Sequence, residues 1–221
     1  VRNLGEKEIA RIETARLVGG SFISPEDLAW RTGLGLDSLQ SLAATGALHS
    51  IGLGRRPGIW AAGALAEIDP ARLPLAPGVD APELPEMLPE EAHRADLWGT
   101  GISSRHPIEF IRDQLKADGC LTVAEVLDMR RPVRVNVAGV VTHRQRPDTA
   151  SGVIFFNLED ETGQLNVIVL PEVWERYRPV ARRAAALVIE GRIEHRHGVT
   201  NVMAQRMEGL GVYTLRSRDF R

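Results

Sequence analysis

Apolar residues in the first hundred positions recur at helical spacing. Ile9, Ile12 and Leu17 fall on one face of a helix entered through a turn, over residues 2–17. Two glycines in "GGSFIS" interrupt that pattern. Ser24-Pro25-Glu26-Asp27 then reads as a helix start: serine caps the first amides, proline suits the first turn, and the acids complement the dipole. This helix carries Leu28, Ala29 and Trp30 and is predicted to end near Gly33. The next starts at Asp37 or Ser38, keeps Leu39, Leu42 and Ala43 on one side, and stops at Gly46. A further helix over about 57–68 carries Trp60 and Leu65. Pro70, Pro74, Pro77, Pro82, Pro85 and Pro89 follow without a clear period, which predicts an extended linker. Helical spacing returns at about 90–99 and 107–117.

From residue 132 the period shortens to two. "VRVNVAGVVTH", "GVIFFNLED", "QLNVIVL", "ALVIEGRIEH" and "VTNVMAQRME" read as strands, and "PEVWERYRPVARRA" between the third and fourth has helical spacing through Val173, Tyr177, Val180 and Ala181. Gly139 sits where a long first strand could bend. The order β-β-β-α-β-β is that of an OB-fold, a small Greek-key barrel that commonly binds oligonucleotides. The fold class is α+β. Expected divisions are a helical region over 1–69, a Pro-rich linker over 70–89, a helical connector over 90–129, an OB barrel over 130–211 and a basic tail over 212–221.

Charge follows the same division. Residues 1–129 carry 12 basic and 19 acidic side chains, net −7, whereas residues 130–221 carry 15 basic and 10 acidic, net +5. The basic half is the candidate for a polyanion. Only Lys7 and Lys116 are lysines; arginine forks suit phosphate, although an Arg- and Ala-heavy chain also reflects a GC-rich genome. The single cysteine, Cys120, has no partner for a disulfide or a metal knuckle, which suits a reducing cytoplasm. No apolar run is long enough for a membrane span, and no signal pattern opens the chain.

Three acids, Glu159, Asp160 and Glu161, stand between the second and third strands. A metal site for phosphate chemistry needs carboxylates that converge, whereas consecutive residues of extended chain diverge. A polar hairpin end, turned by Gly163, is the reading adopted. Alternation places Phe156 and Leu158 on one face with Phe155 and Asn157 on the other; Leu165, Val167 and Val169 suit the core and leave Asn166 outside. Phe155 with Asn157 and Asn166 is then a stacking platform with hydrogen-bonding neighbours, as single-stranded nucleic acid needs; a core Phe155 beneath the helix is the other reading. His143, Arg144 and Arg146 in the loop 142–152 form a basic tip beside it, suited to phosphates. His195 and His197 share a strand face but lack a third ligand for zinc. Near the start, "VRNLGEKEIARI" looks like the turn and second helix of a helix-hairpin-helix, where Arg2, Asn3, Gly5 and the amide of Glu6 would meet a duplex phosphate. That motif's first helix is missing, as if the chain began within a domain. No GxxxxGK[ST], GxSxG or HExxH pattern occurs.

"VRNLGEKEIARI…GGSFISPEDLAWRTGL…LQSLAATGAL", "ADLWGTGISSRHPIEFIRDQL", "VAGVVTHRQRP…GVIFFNLEDETGQLNVIVLPEVWERY" and "RSRDFR" together resemble the C-terminal part of bacterial C-family DNA polymerases (the polymerase III alpha subunit), best the error-prone branch of DNA-damage mutagenesis. The resemblance covers all but the proline linker. It implies a helix-hairpin-helix region on duplex DNA and an OB domain near the single-stranded template. The palm carboxylates, with their divalent metal (expected Mg), lie upstream of anything present, so no cofactor is expected in this chain and it is not expected to polymerise alone. The implied partners are an inactive Y-family-like protein and a RecA-like protein. "RADLW", 94–98, only faintly resembles a sliding-clamp peptide, so clamp access is expected to be indirect. Two other readings of the OB domain stand beside this one: a protein-docking module, and an anticodon-binding domain, which shares the "NLEDETG"-like hairpin.

Overall fold

The computed structural model describes residues 1–68, 80–147, 151–196 and 198–212, and the backbone of 218–219. Contacts divide the chain into two units, Val1–Ser103 and Ser104–Arg221. The division falls inside the segment 90–129 that was expected to act as one connector.

The first unit is helical: α1 (Glu6–Gly19), α2 (Pro25–Thr32), α3 (Leu36–Ala44), α4 (Arg55–Ala66) and α5 (Pro89–Thr100). Ser24 Oγ accepts from the Asp27 amide at 3.1 Å, and Gly33 closes α2 in the left-handed region at φ 58°, where glycine carries no Cβ penalty. α3 starts at Leu36, ahead of the expected Asp37 or Ser38. Ser38 is buried instead, donating to the Asn3 carbonyl at 2.8 Å. Leu28, Leu34, Leu39, Ala43, Leu48, Ala61 and Leu65 form the core. α5 seats against α3 at Gly99, where a Cβ would lie 2.2 Å from Thr45 Cγ2. The described residues 80–88 form no helix or strand; the remaining linker prolines Pro70, Pro74 and Pro77 lie outside the described residues.

The second unit is a closed barrel. Its strands are β2 (Arg134–Gln145), β3 (Ile154–Asp160), β4 (Gly163–Val169), β5 (Ala186–Arg196) and β6 (Val199–Leu210), with α8 (Pro171–Arg183) between β4 and β5. The hydrogen-bonded order β2-β3-β4-β6-β5 closes because β2 pairs β5 over Arg134–Val140 and β3 over Val140–Gln145. That double pairing needs a tight bend, and Gly139 supplies it: a Cβ there would meet the Glu159 carbonyl oxygen at 2.6 Å. Phe156, Leu158, Leu165, Val167, Leu187, Ile189, Ile193 and Val202 fill the interior, and Trp174, Tyr177 and Val180 of α8 plug one end.

Ahead of the barrel come a 3-10 turn (Pro107–Ile111), α6 (Arg112–Ala117), a two-residue strand β1 (Cys120–Leu121) parallel to β2, and α7 (Val123–Asp128). These pack Ile108, Leu115 and Cys120 on Ala138, Val140 and Ala186, so 104–128 is the barrel's own flank. A two-residue β7 (Arg218–Asp219) also pairs β2. Among the described residues no helix is long and apolar enough to cross a membrane.

Candidate nucleic-acid interface

The period of two in the strands decides the barrel's outer face. Phe156, Leu158, Leu165, Val167, Val202 and Ala204 point inward and are buried, which turns their neighbours out. The ladder then assembles two parallel rows. One runs His143 (β2), Asn157 (β3), Asn166 (β4), Asn201 (β6) and Glu194 (β5); the other runs Gln145, Phe155, Ile168, Met203 and Arg192. Phe155 and Asn157 are half-buried and Asn166 is exposed. The reading of Phe155 as outward thus holds in geometry, and α8 covers Phe156 instead, with Trp174 edge-on at 6.2 Å between ring centroids.

Asn157 Nδ2 donates to Gln164 Oε1 at 3.2 Å, and Gln164 Nε2 donates to Glu159 Oε2 at 2.9 Å. Among the described residues Asn157 Oδ1 is shielded and has no hydrogen-bond partner. The centre of the face is apolar and amide-bearing, with Arg192 and Gln145 at its margins.

Three expectations need correction. β2 continues to Gln145, so His143 and Arg144 belong to the strand and not to a loop. Arg144 points into the barrel: it is 8% exposed, donates from Nε to the Ala181 carbonyl at 2.8 Å and from Nη2 to the Ala184 carbonyl, and lies over the Phe156 ring at 5.5 Å. A cation at the end of α8 satisfies carbonyls the helix cannot, so its role is structural. The acids do stand at a hairpin end, where Asp160 pairs Gly163 across the β3–β4 turn, but Asp160 and Glu161 are not merely its polar tip. Asp160 is 3% exposed; its Oδ2 accepts from Arg112 Nη2 at 2.7 Å and from the Val123 amide at 2.9 Å, and its Oδ1 accepts from the Thr162 amide at 2.8 Å. Glu161 receives Arg112 Nε at 2.5 Å. Burial alone would raise the Glu161 carboxyl, but the Arg112 hydrogen bonds outweigh it and hold it below the ordinary value. Among the described residues no group of His, Cys, Asp and Glu is placed to hold a metal ion.

At the start of α1, Arg2, Asn3, Gly5 and Glu6 are brought together and exposed, and polar groups of the first three are engaged. Asn3 Nδ2 donates to Ser41 Oγ at 3.1 Å, the Gly5 amide donates to Glu8 Oε2 at 3.1 Å, and Arg2 lies over the Trp98 ring at 5.0 Å. The Glu8 carboxylate takes the place a phosphate would have at this helix start. Asn201, Met203 and Ile168 were missed in the sequence, because the parallel β4–β6 pairing that brings them to Asn166 and Phe155 is not local.

Residues 135–210 match the family model described as an OB-fold nucleic acid binding domain, and residues 1–57 match one described as a helix-hairpin-helix motif. Proteins named error-prone DNA polymerase align throughout: that of Mycobacterium bovis is 43% identical over 224 residues, covering 100% of this chain and 20% of the relative. The Nocardia farcinica protein is 42% identical over 233 residues, again 100% of the chain and 20% of the relative.

The chain is a relative, over its whole length, of part of the error-prone DNA polymerases.

The error-prone DNA polymerase of Corynebacterium diphtheriae is 44% identical over 198 residues, 88% of this chain and 19% of its own length. The chain thus spans about one fifth of the length of the curated relatives it matches. Among solved structures, asparaginyl-tRNA synthetase from Pyrococcus horikoshii is similar at 20% identity and a TM-score of 0.37, over 43% of this chain and 24% of that one; a likeness so distant carries no functional weight.

Proposed function

We propose that the barrel is the single-strand-contacting module of an error-prone DNA polymerase, serving template-directed synthesis in damage-induced mutagenesis and translesion repair in the cytoplasm. The observation that carries this reading is the pair of outward rows, which sets Phe155 beside the amides of Asn157, Asn166 and Asn201. Bases stack on an aromatic face regardless of sequence, and neighbouring amides hydrogen-bond their edges. His143 closes one end of the amide row, and Arg146 extends the face toward phosphate. The helix-hairpin-helix region is assigned to duplex DNA through Arg2, Asn3, Gly5 and Glu6, with Glu8 moving aside from the Gly5 amide when phosphate arrives. Accessory proteins of the inactive Y-family-like and RecA-like kinds, and an indirect route to the sliding clamp, complete the reading.

The test is fluorescence anisotropy of a labelled single-stranded oligonucleotide titrated with the full chain at two salt concentrations. Binding is expected to weaken with salt and to fall on Phe155→Ala by the loss of one stacked base, about 1–3 kcal/mol. Wild-type affinity in both Phe155→Ala and Asn166→Asp would remove this face from consideration. Negligible strand binding together with capture of the accessory proteins would favour a docking module.

A further inference from the structure

Beside the outer face lies a cleft of about 270 Å³ at the end where α8 closes the barrel. Arg144, Arg146, Arg178 and Arg182 line it together with Gln145 and Trp174. The four arginines come from two elements: Arg144 and Arg146 from the end of β2 and just beyond, Arg178 and Arg182 from successive turns of α8. Residues four apart on a helix lie one above the other, so Arg178 and Arg182 present a column to the strand end. Arg144 is held inside by the Ala181 and Ala184 carbonyls. Arg146, Arg178 and Arg182 are exposed. Arg178 has a long contact of 3.4 Å with Glu175, on the exposed face of the same helix. Neither Arg146 nor Arg182 has a carboxylate within salt-bridge distance among the described residues.

A cluster of like charges converging on one recess repels itself unless an anion joins it. Planar guanidinium forks match phosphate oxygens two at a time. The placement also fits a strand. Gln145 lines the cleft and is the cross-strand partner of Phe155, so a chain stacked on Phe155 that continues past Gln145 runs its backbone into the arginines.

We infer that this cleft is a phosphodiester subsite, gripping the backbone of the same single strand whose base stacks on Phe155. The inference rests on the function proposed above, and it adds α8 to the interface, which that proposal leaves out. Arg146 and Arg182 hold phosphate oxygens, Arg178 supports them, and Gln145 joins the stacking face to the backbone track. Because a phosphate carries no sequence information, this subsite contributes affinity and register without base preference.

The experiment compares full-chain wild type, Arg146→Gln/Arg182→Gln, Arg146→Lys/Arg182→Lys and Phe155→Ala, with two labelled single strands of different sequence over a salt series. Each phosphate contact on a single strand contributes about 0.7 to the slope of log K against log salt. The glutamine pair is therefore expected to flatten the slope by about 1.4 and to weaken both strands equally, while the lysine pair keeps most of the slope. Thermal midpoints of both pairs should match wild type, because these side chains are exposed. A glutamine pair with wild-type slope and affinity, beside a Phe155→Ala that binds weakly, would overturn the cleft and leave the face standing. No strand binding by the wild type would overturn both.

Discussion

Arg112 Nη2 lies 2.7 Å from Asp160 Oδ2, and that carboxylate is shared with the amide of Val123 at 2.9 Å. One buried acid thus holds the flank of the barrel unit in two places, at α6 and at the first turn of α7. A carboxylate at a helix start is favoured by the dipole and by otherwise unpaired amides. Removing it leaves Arg112 with Glu161 as its remaining acid and leaves the Val123 amide unpaired. Asp160→Ala is expected to destabilise the barrel unit by about 3–5 kcal/mol, the range for breaking a buried pair. Hydrogen exchange of the Val123 and Thr162 amides in the full chain measures this, since both lose their acceptor.

Acid should loosen the same flank in two steps. Burial pushes the His106 imidazole below its ordinary 6.5, against the pull of Glu159, Glu161, Asp160 and Glu109. His106 Nδ1 also accepts from the Ile108 amide at 3.2 Å, a bond the protonated ring cannot accept. Glu161 is likewise held below its ordinary 4.5. Both groups take up protons more readily in the unfolded chain, so their stability is present at neutral pH and is lost as pH falls through the lowered folded values. Urea midpoints of the barrel unit should decline as pH drops below 6.5 and decline further below 4.5. His106→Asn should flatten the upper part of the profile and Arg112→Gln the lower.

Gly139 tests the closure of the barrel. An added methyl would lie 2.6 Å from the Glu159 carbonyl oxygen and 2.8 Å from Leu158 Cγ, and backbone in a closed ladder has little room to yield. Gly139→Ala should cost about 1–3 kcal/mol, as overpacking does, seen as a lowered thermal midpoint. Gly198→Ala changes nothing nearby in space but strains a backbone at φ 79°; its smaller cost separates clash from conformational strain.

Arg144 is set by contacts that its local sequence does not carry. A charged residue after "VVTH" reads as loop, because nothing local reveals that β2 keeps pairing with β3 as far as Gln145 or that the α8 carbonyls lie within its reach. Arg144→Leu should lower the thermal midpoint, since two hydrogen bonds from a buried cation are lost, about 1.5–3 kcal/mol for such a bond. The features legible in the sequence were local ones: the Ser24 cap, the Gly33 stop, the alternation that put Phe155 outside and Phe156 inside, and the β-β-β-α-β-β order. α7 went unread although Thr122 and Glu125 form a capping box, with Thr122 Oγ1 accepting from the Glu125 amide at 3.2 Å. The burial of Asp160 was hidden because its partner Arg112 is 48 residues away. Asn201 was hidden by the parallel pairing of β4 with β6.

Asn166 and Asn201 are adjacent in that parallel pairing, at the strand spacing of about 4.8 Å, which is short enough for both amides to reach one base. If they grip the same nucleotide, their losses on strand binding must be coupled. The cycle of Asn166→Ala, Asn201→Ala and the double variant should then show an interaction energy of about 0.5–3 kcal/mol. The pair Asn166→Ala with Arg134→Ala is the control: Arg134 pairs with Arg192 across β2–β5, further around the barrel, and those two changes should add. Additivity in the asparagine pair would mean that β4 and β6 meet different nucleotides.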